Sequence, residues 1–306
     1  MSADAKAARQ RGIAIVLALS VVALAATAAT ALMVSQSTWA RRNALSSDHV
    51  QAEVMIQAGV DWARAVLSDD KRMTNVDQLG EPWALRLAPV PVDNGELAGH
   101  IEDEQGRFNL NNIAPEGKVD VVQLAHFRRL LAILQLPGAL ADTLADWLDA
   151  DSEPQGGAED DYYLSLDPPY LAANRPLTDV SELALVRGFD AGVRARLRPF
   201  VTALPRTTAV NVNTAPPEVL AAIVDGLSID TARTIAEERD RVYFRSPAEF
   251  YNRIPTLNVR MDDISVSSSF FLATLRVTIG EAQARGSALL VRDDFNWPVI
   301  VWRKEL

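Results

Sequence analysis

The chain is 306 residues long, 48% hydrophobic and 23% charged, with a formal net charge of −10 and no cysteine. That composition is globular, with length for one large domain or two modest ones. The acidic balance disfavours non-specific nucleic-acid binding, and the lack of cysteine excludes thiolate catalysis, thiolate zinc sites and disulfide staples.

The 22 residues from Ile13 to Val34 carry no charge, and Ser20, Thr27 and Thr30 are their only polar side chains. At about 1.5 Å per residue such a helix crosses a hydrocarbon core of roughly 30 Å. Lys6, Arg9 and Arg11 precede it and Arg41 and Arg42 follow it; the leading cluster predicts a cytoplasmic N-terminus with the long remainder translocated. Three readings compete: a plain signal anchor, a secretory signal cut after Ala26-Thr27-Ala28, or a short basic prepilin-type leader ending at Gly12.

The residues that follow separate them. Leu45, His49, Ala52, Ile56, Gly59, Ala63 and Val66 recur at alternating spacings of four and three, a helical stripe reaching Leu67 without proline. His49 is read as a core or interface position on this stripe. The apolar run therefore continues into one long amphipathic helix, which a removable signal does not need and a pilin does.

Beyond Asp69 the sequence becomes turn-rich, with prolines at 82, 89 and 91. Residues 97–113 read as two short strands around Gln105-Gly106, and further strand-like runs cover 267–280, 288–292 and 299–302. Between them lie helical patterns over 119–136, 139–148, 215–224 (with Thr214 as N-cap), 229–239 and 246–254, the last opened by a Ser246-to-Glu249 capping box. Strand material, a helical block and strand material again predict an α+β head interrupted by a helical insertion.

Two stretches could carry chemistry. Residues 142–161 hold eight acids and no Lys or Arg. A Pro-Gln-Gly-Gly loop could fold Asp149 and Asp151 back toward Glu159 and Asp160, and convergent hard oxygens suit Ca²⁺. Without a cation the same convergence is self-repelling; the competing reading is a solvated acidic loop with helix-capping duties. Residues 210–254 resemble the helix-hairpin-helix repeats of DNA-binding proteins, yet they hold five arginines against seven acids, with Asp225 in the hairpin itself. That charge opposes phosphate binding, so the segment reads as a structural or docking module.

Taken together, four stretches resemble the K-type minor pseudopilins of type II secretion, the general secretion pathway protein K family. They are Arg11-Gly12-Ile13-Ala14-Ile15-Val16, Asp103-Glu104-Gln105-Gly106-Arg107-Phe108-Asn109-Leu110-Asn111, Asp146 to Asp151 with Gly157 to Asp160, and Val210-Asn211-Val212-Asn213-Thr214-Ala215-Pro216. The resemblance implies a type IV pilin-like fold, a long N-terminal helix plus antiparallel sheet, carrying a large all-α insertion. It also implies cleavage by prepilin peptidase between Gly12 and Ile13, with N-methylation of Ile13.

Further implications are Ca²⁺ held by Asp149, Asp151, Glu159 and Asp160, and a place at the pseudopilus tip. The mature fifth residue, where most pilins carry glutamate, is Leu17 here, which suits a subunit with none above it. The expected organisation is a leader (1–12), a membrane or filament-core helix (13–34), its periplasmic continuation (35–70), a head (71–113 with 265–306) and two helical units (114–209 and 210–264).

The expected setting is the inner membrane, single-pass, with a periplasmic head. Expected partners are I- and J-type minor pseudopilins, the prepilin peptidase and the inner-membrane secretion platform. The chain reads as a structural subunit rather than an enzyme. Two alternatives stand beside it: a membrane-tethered DNA receptor and a signal-anchored periplasmic hydrolase.

Overall fold

The computed structural model describes residues 3–86, 88–92, 94–293 and 297–305, with side chains from residue 14 onward. The cleavage pair Gly12 and Ile13 falls outside the residues whose side chains are described. A single helix, α1, runs from Ala3 to Met73. Its membrane-length apolar part has a mean hydropathy of 2.4 and is uncovered by the rest of the chain.

Farther along α1, Ala52, Ile56, Val60, Ala63 and Leu67 are buried, the i, i+4, i+8 pattern of one helical face. They pack on Phe271, Ala273, Leu275, Val277, Ala288 and Leu290 of a sheet. Gly59 lets Leu275 close on the helix: a Cβ there would stand 2.9 Å from Leu275 Cδ2, so that side chain would have to shift. His49 departs from the stripe. Its side chain is exposed and sits 3.2 Å from Glu53 on the solvent side.

The sheet contains β1 (Val90–Val92), β2 (Gly95–Asp103), β7 (Phe270–Ile279), β8 (Ala282–Val291) and β9 (Val299–Glu305), in the order β1-β2-β7-β8-β9. All its pairings are antiparallel. Between β2 and β7 the chain makes β3 (Phe108–Asn109), α2 (Val121–Ile133), α3 (Ala139–Leu148), α4 (Asp160–Leu164), α5 (Ala191–Leu197), β4 (Val201–Thr202), β5 (Val210–Asn211), α6 (Pro217–Ile223), α7 (Ile229–Arg239), α8 (Pro247–Tyr251) and β6 (Ile264–Ser265). These elements enclose a second, larger core around Phe127, Leu130, Leu144, Trp147, Leu220 and Phe250. The fold is α+β: a long helix on an antiparallel sheet, with a helical block inserted between two neighbouring strands.

Two short strands do flank Gln105-Gly106, β2 before it and β3 after it, and two capping expectations are corrected. Asp103 caps a one-turn helix by accepting from the Gln105 amide at 2.8 Å, and β3 then pairs parallel to β4. Thr214 does not cap α6. Its hydroxyl donates to Asp103 Oδ2 at 2.6 Å, and Pro216 stands at the N-cap instead. Ser246 does cap α8, accepting from the Glu249 amide at 3.3 Å, but Glu249 reaches back to the Arg245 amide at 2.8 Å rather than to Ser246.

The two cores are joined by a buried polar hub. Asp103 Oδ2 accepts from Asn211 Nδ2 (3.0 Å), Thr214 Oγ1 (2.6 Å) and Ser268 Oγ (2.7 Å), linking β2, the start of the second helical unit and the residues leading into β7. Burial raises the Asp103 carboxyl to about 6, against these bonds.

Candidate functional site

The acidic loop is built by the end of α3, the start of α4 and Asp146. Pro137-Gly138 breaks the chain before α3, which then buries Leu140, Leu144, Trp147 and Leu148. Asp146 is buried on the same helix and accepts from the Gln155 amide at 3.1 Å and the Gly157 amide at 2.9 Å. That pair of bonds folds the loop back over α3. Gly157 has no room for a side chain, since a Cβ would stand 2.5 Å from Thr143 Cα and 2.6 Å from Asp142 O.

The fold-back brings oxygens of Asp149, Asp151 and Glu159 within 4.8 Å of one another. Asp149 and Glu159 are buried, at 2% and 4% exposure, and none of their four carboxylate oxygens has a hydrogen-bond partner. The reading of these acids as helix caps is not what the structure contains. Glu159 occupies the N-cap position of α4, but its side chain makes no capping bond. Asp149 sits at the C-cap of α3, where the helix dipole opposes a negative charge.

Burial, with the neighbouring acids adding to it, raises Asp149 to about 6 and Glu159 to about 7. Buried polar groups are nearly always satisfied, so four orphaned carboxylate oxygens facing like charges call for a cation. Hard oxygen donors on a loop match a divalent ion of the Ca²⁺ type.

Asp160 is engaged elsewhere. Its Oδ1 accepts from the Ala172 amide at 2.9 Å and pins the following loop. Asn174, absent from the sequence-derived set, holds the Asp151 carbonyl with its Nδ2 at 3.0 Å, and its own buried Oδ1 is unpartnered. Its φ of 44° is the left-handed value that Asn tolerates, the one local signal of its role.

A second group of carboxylates, Asp70, Asp77 and Glu81, also lies within 4.8 Å. Here a cation of the chain is already in place. Arg292 donates to Asp70 at 2.8 Å and also to Asp77. Glu81 accepts from Trp83 Nε1 at 2.8 Å.

Two amides of the hairpin between α6 and α7 are engaged within the chain, and its acid is paired with an arginine. The Asp225 amide donates to Asn258 O at 3.2 Å, Leu227 to Val224 O at 3.3 Å, and the Asp225 side chain pairs with Arg129 at 2.7 Å. The segment packs inward, and the DNA-receptor and hydrolase readings find no support.

Residues 106–206 and 210–267 match two models of one family, type II secretion system (T2SS), protein K, together just over half of the chain. The chain is 39% identical over 287 residues to type II secretion system protein K of Pseudomonas aeruginosa, covering 89% of this chain and 86% of that one. It is 33% identical over 317 residues to the protein of that name from Klebsiella pneumoniae, covering 95% of each. Among solved structures it superposes on a chain of the GspK-GspI-GspJ complex from the enterotoxigenic Escherichia coli type 2 secretion system. That match has a TM-score of 0.77 and 26% identity, covering 86% of this chain and 99% of that one. The chain belongs to the type II secretion system protein K family.

Proposed function

We propose that this chain is the tip subunit of a periplasmic pseudopilus, with a structural and assembly-initiating role rather than a catalytic one. The observation that carries the reading is α1: one unbroken helix whose first part is apolar and uncovered and whose last part is sealed onto the head sheet. Such a rod keeps the membrane segment attached to the mature protein as its assembly handle. Leu17, at the mature fifth position, offers no carboxylate to a subunit above, which favours the end of a filament.

In this reading the protein is held in the inner membrane by a single pass, N-terminus inside, with its head in the periplasm. Prepilin peptidase cleaves between Gly12 and Ile13, and Ile13 is then N-methylated. The I- and J-type minor pseudopilins join the head, and the secretion platform holds the base. That the structurally similar chain was solved in complex with GspI and GspJ supports the first of these partnerships. Asp149, Asp151 and Glu159, with Asn174 beside them, would hold a Ca²⁺ ion, while Asp160 pins the loop at Ala172. When bound, the ion neutralises the carboxylates. The chain's own contribution is to fix the loop through Asp146 and to shelter Asp149 and Glu159 from water.

Co-expression with a prepilin peptidase tests the reading. The mature N-terminus should be N-methylated Ile13, and the product should co-purify with I- and J-type partners. Processing after Ala28, leaving a freely soluble head, overturns it.

A further inference from the structure

Just beyond the apolar run, α1 carries an exposed tryptophan and two adjacent arginines. Ile13 to Val34 is about 33 Å of helix, or about 31 Å along the membrane normal at a tilt of about 20°. Val34 therefore stands at the limit of a hydrocarbon core of about 30 Å, and the headgroup layer takes up about 5–8 Å more. That layer covers residues 35–39. Ser37 and Thr38 turn their hydroxyls onto the helix there, donating to Val34 O at 2.9 and 2.8 Å. Trp39 follows, 70% exposed.

From Ile13 to Ala44 the only charged residues are Arg41 and Arg42, and no acid occurs before Asp48. The two arginines stand about 10 and 12 Å of helix beyond Val34, and they differ in what they meet. Arg41 pairs with Glu281 at 3.0 Å. Glu281 belongs to the turn between β7 and β8, whose Gly280 closes on α1: a Cβ there would stand 2.4 Å from Asp48 Oδ2. The Gly280 amide donates to Asn94 O of the β1–β2 turn at 3.3 Å; Asp93 of that turn lies outside the described residues. These turns are the end of the sheet nearest the apolar run. Arg42, about 100° farther round the helix, is exposed and makes no ion pair or side-chain hydrogen bond among the described residues. The next acids along α1 are Asp48, against Gly280, and Glu53, which His49 takes at 3.2 Å.

We propose that Trp39 and Arg42 form a lipid collar on the periplasmic side of the membrane. The indole lies among the headgroups, where an amphipathic ring is most stable, and Arg42 donates to a phospholipid phosphate in charge-assisted bonds. A long arginine stem returns its guanidinium to the phosphates from a Cα that stands outside them. Continuity identifies the occupant, since the collar directly extends a helix segment that is apolar and uncovered by the chain. Arg41, held by Glu281, then sets the base of the head just above the same leaflet. The subunit waits at one depth with its head upright, and leaving the bilayer means giving up these contacts.

The inference rests on the single-pass reading above, and its test separates the two. The chain has no cysteine, so single cysteines bearing a nitroxide are placed in turn at positions 24, 32, 36, 40, 43 and 46. The full-length protein is reconstituted in vesicles of phosphatidylethanolamine and phosphatidylglycerol, and access to oxygen against a water-soluble nickel chelate reads the depth of each label. The collar predicts a lipid-to-water crossing between positions 36 and 43, displaced by about one helical turn, roughly 5 Å, or more in W39A/R42E. A crossing outside that interval, or one displaced by less in the variant, overturns the collar and leaves the single pass standing. Water access at position 24 overturns both. A variant that keeps its depth but no longer binds the I- and J-type partners assigns the two residues to a protein contact and likewise overturns the collar.

Discussion

Arg292, just beyond β8, donates from Nη1 to Asp70 Oδ2 at 2.8 Å and from Nη2 to Asp77, so one guanidinium ties the last turn of α1 to the loop that follows it. All three side chains are buried. The same group lies 4.6 Å over the Phe271 ring and donates to the carbonyls of Leu67 and Ser268 at 3.2 Å each. This is where the rod, the sheet and the segment leading into β7 are fastened together.

Removing the cation alone should be costly. R292M removes the guanidinium that pairs with the buried Asp70 and Asp77 and should lower unfolding free energy by about 3–5 kcal/mol. Urea melts of the full-length protein in detergent measure this. The triple variant R292M/D70N/D77N should recover much of the loss, because it no longer buries an uncompensated charge.

Glu81 gives a pH dependence whose sign can be worked out. Burial raises its carboxyl from 4.5 to about 7, opposed by the bonds from the Gln78 amide and Trp83. The folded state therefore binds more protons than the unfolded chain between about pH 4.5 and 7. Its contribution is complete below about pH 4.5 and is lost as pH rises through about 7, to the extent of about 3 kcal/mol. Asp103, raised to about 6, acts in the same direction. E81Q keeps an oxygen acceptor without the charge, so thermal melts at pH 5 and pH 8 should differ less in the variant than in wild type.

The proposed cation site predicts a ligand-dependent stability. Wild-type melting temperature should rise with added Ca²⁺, by an amount equivalent to about 2.7 kcal/mol at a hundred times Kd. D149N/E159Q should abolish the rise. It should also melt higher than wild type in chelator, because two buried like charges are gone. A calcium response that survives in the double variant would place the ion elsewhere.

G157A tests the loop closure. Its methyl group would press on Thr143 Cα and Asp142 O, so the Asp146 bond to the Gly157 amide must stretch or break. We expect about 1–3 kcal/mol of destabilisation and a weaker calcium response, with the α1–sheet contact unaffected. Matched melts in Ca²⁺ and chelator separate the two effects.

The parts of the fold legible in the sequence are those whose signals are local. Helix α3 begins after Pro137-Gly138 and ends at Leu148, and α7 is opened by Ser228 accepting from the Thr231 amide; both follow from caps and breakers. The α1 stripe is readable because one face of a helix must match one sheet. Only the second half of β8 is apparent, since Gln283, Arg285 and Gly286 lack the β-branched, alternating pattern of a strand. The parallel pairing of Val210-Asn211 with Ile264-Ser265 joins segments some fifty residues apart and leaves no local trace.

At the candidate site the density of acids is visible, but which of them converge is not. That is decided by Asp146 capturing two loop amides and by Asp160 turning to Ala172. Thr214 misleads for the same reason: a distant carboxylate competes successfully for its hydroxyl.

From Ile13, where the proposed mature chain begins, α1 runs to Met73 without a proline, about 92 Å at about 1.5 Å per residue. Axial thrust or torque applied at its membrane end therefore meets no hinge before the head. The load reaches the sheet as shear distributed over Ala52, Ile56, Val60, Ala63 and Leu67, a geometry in which many contacts must yield at once. A rod joined to its head in this way should slip far less readily than one whose joint can be peeled apart a residue at a time.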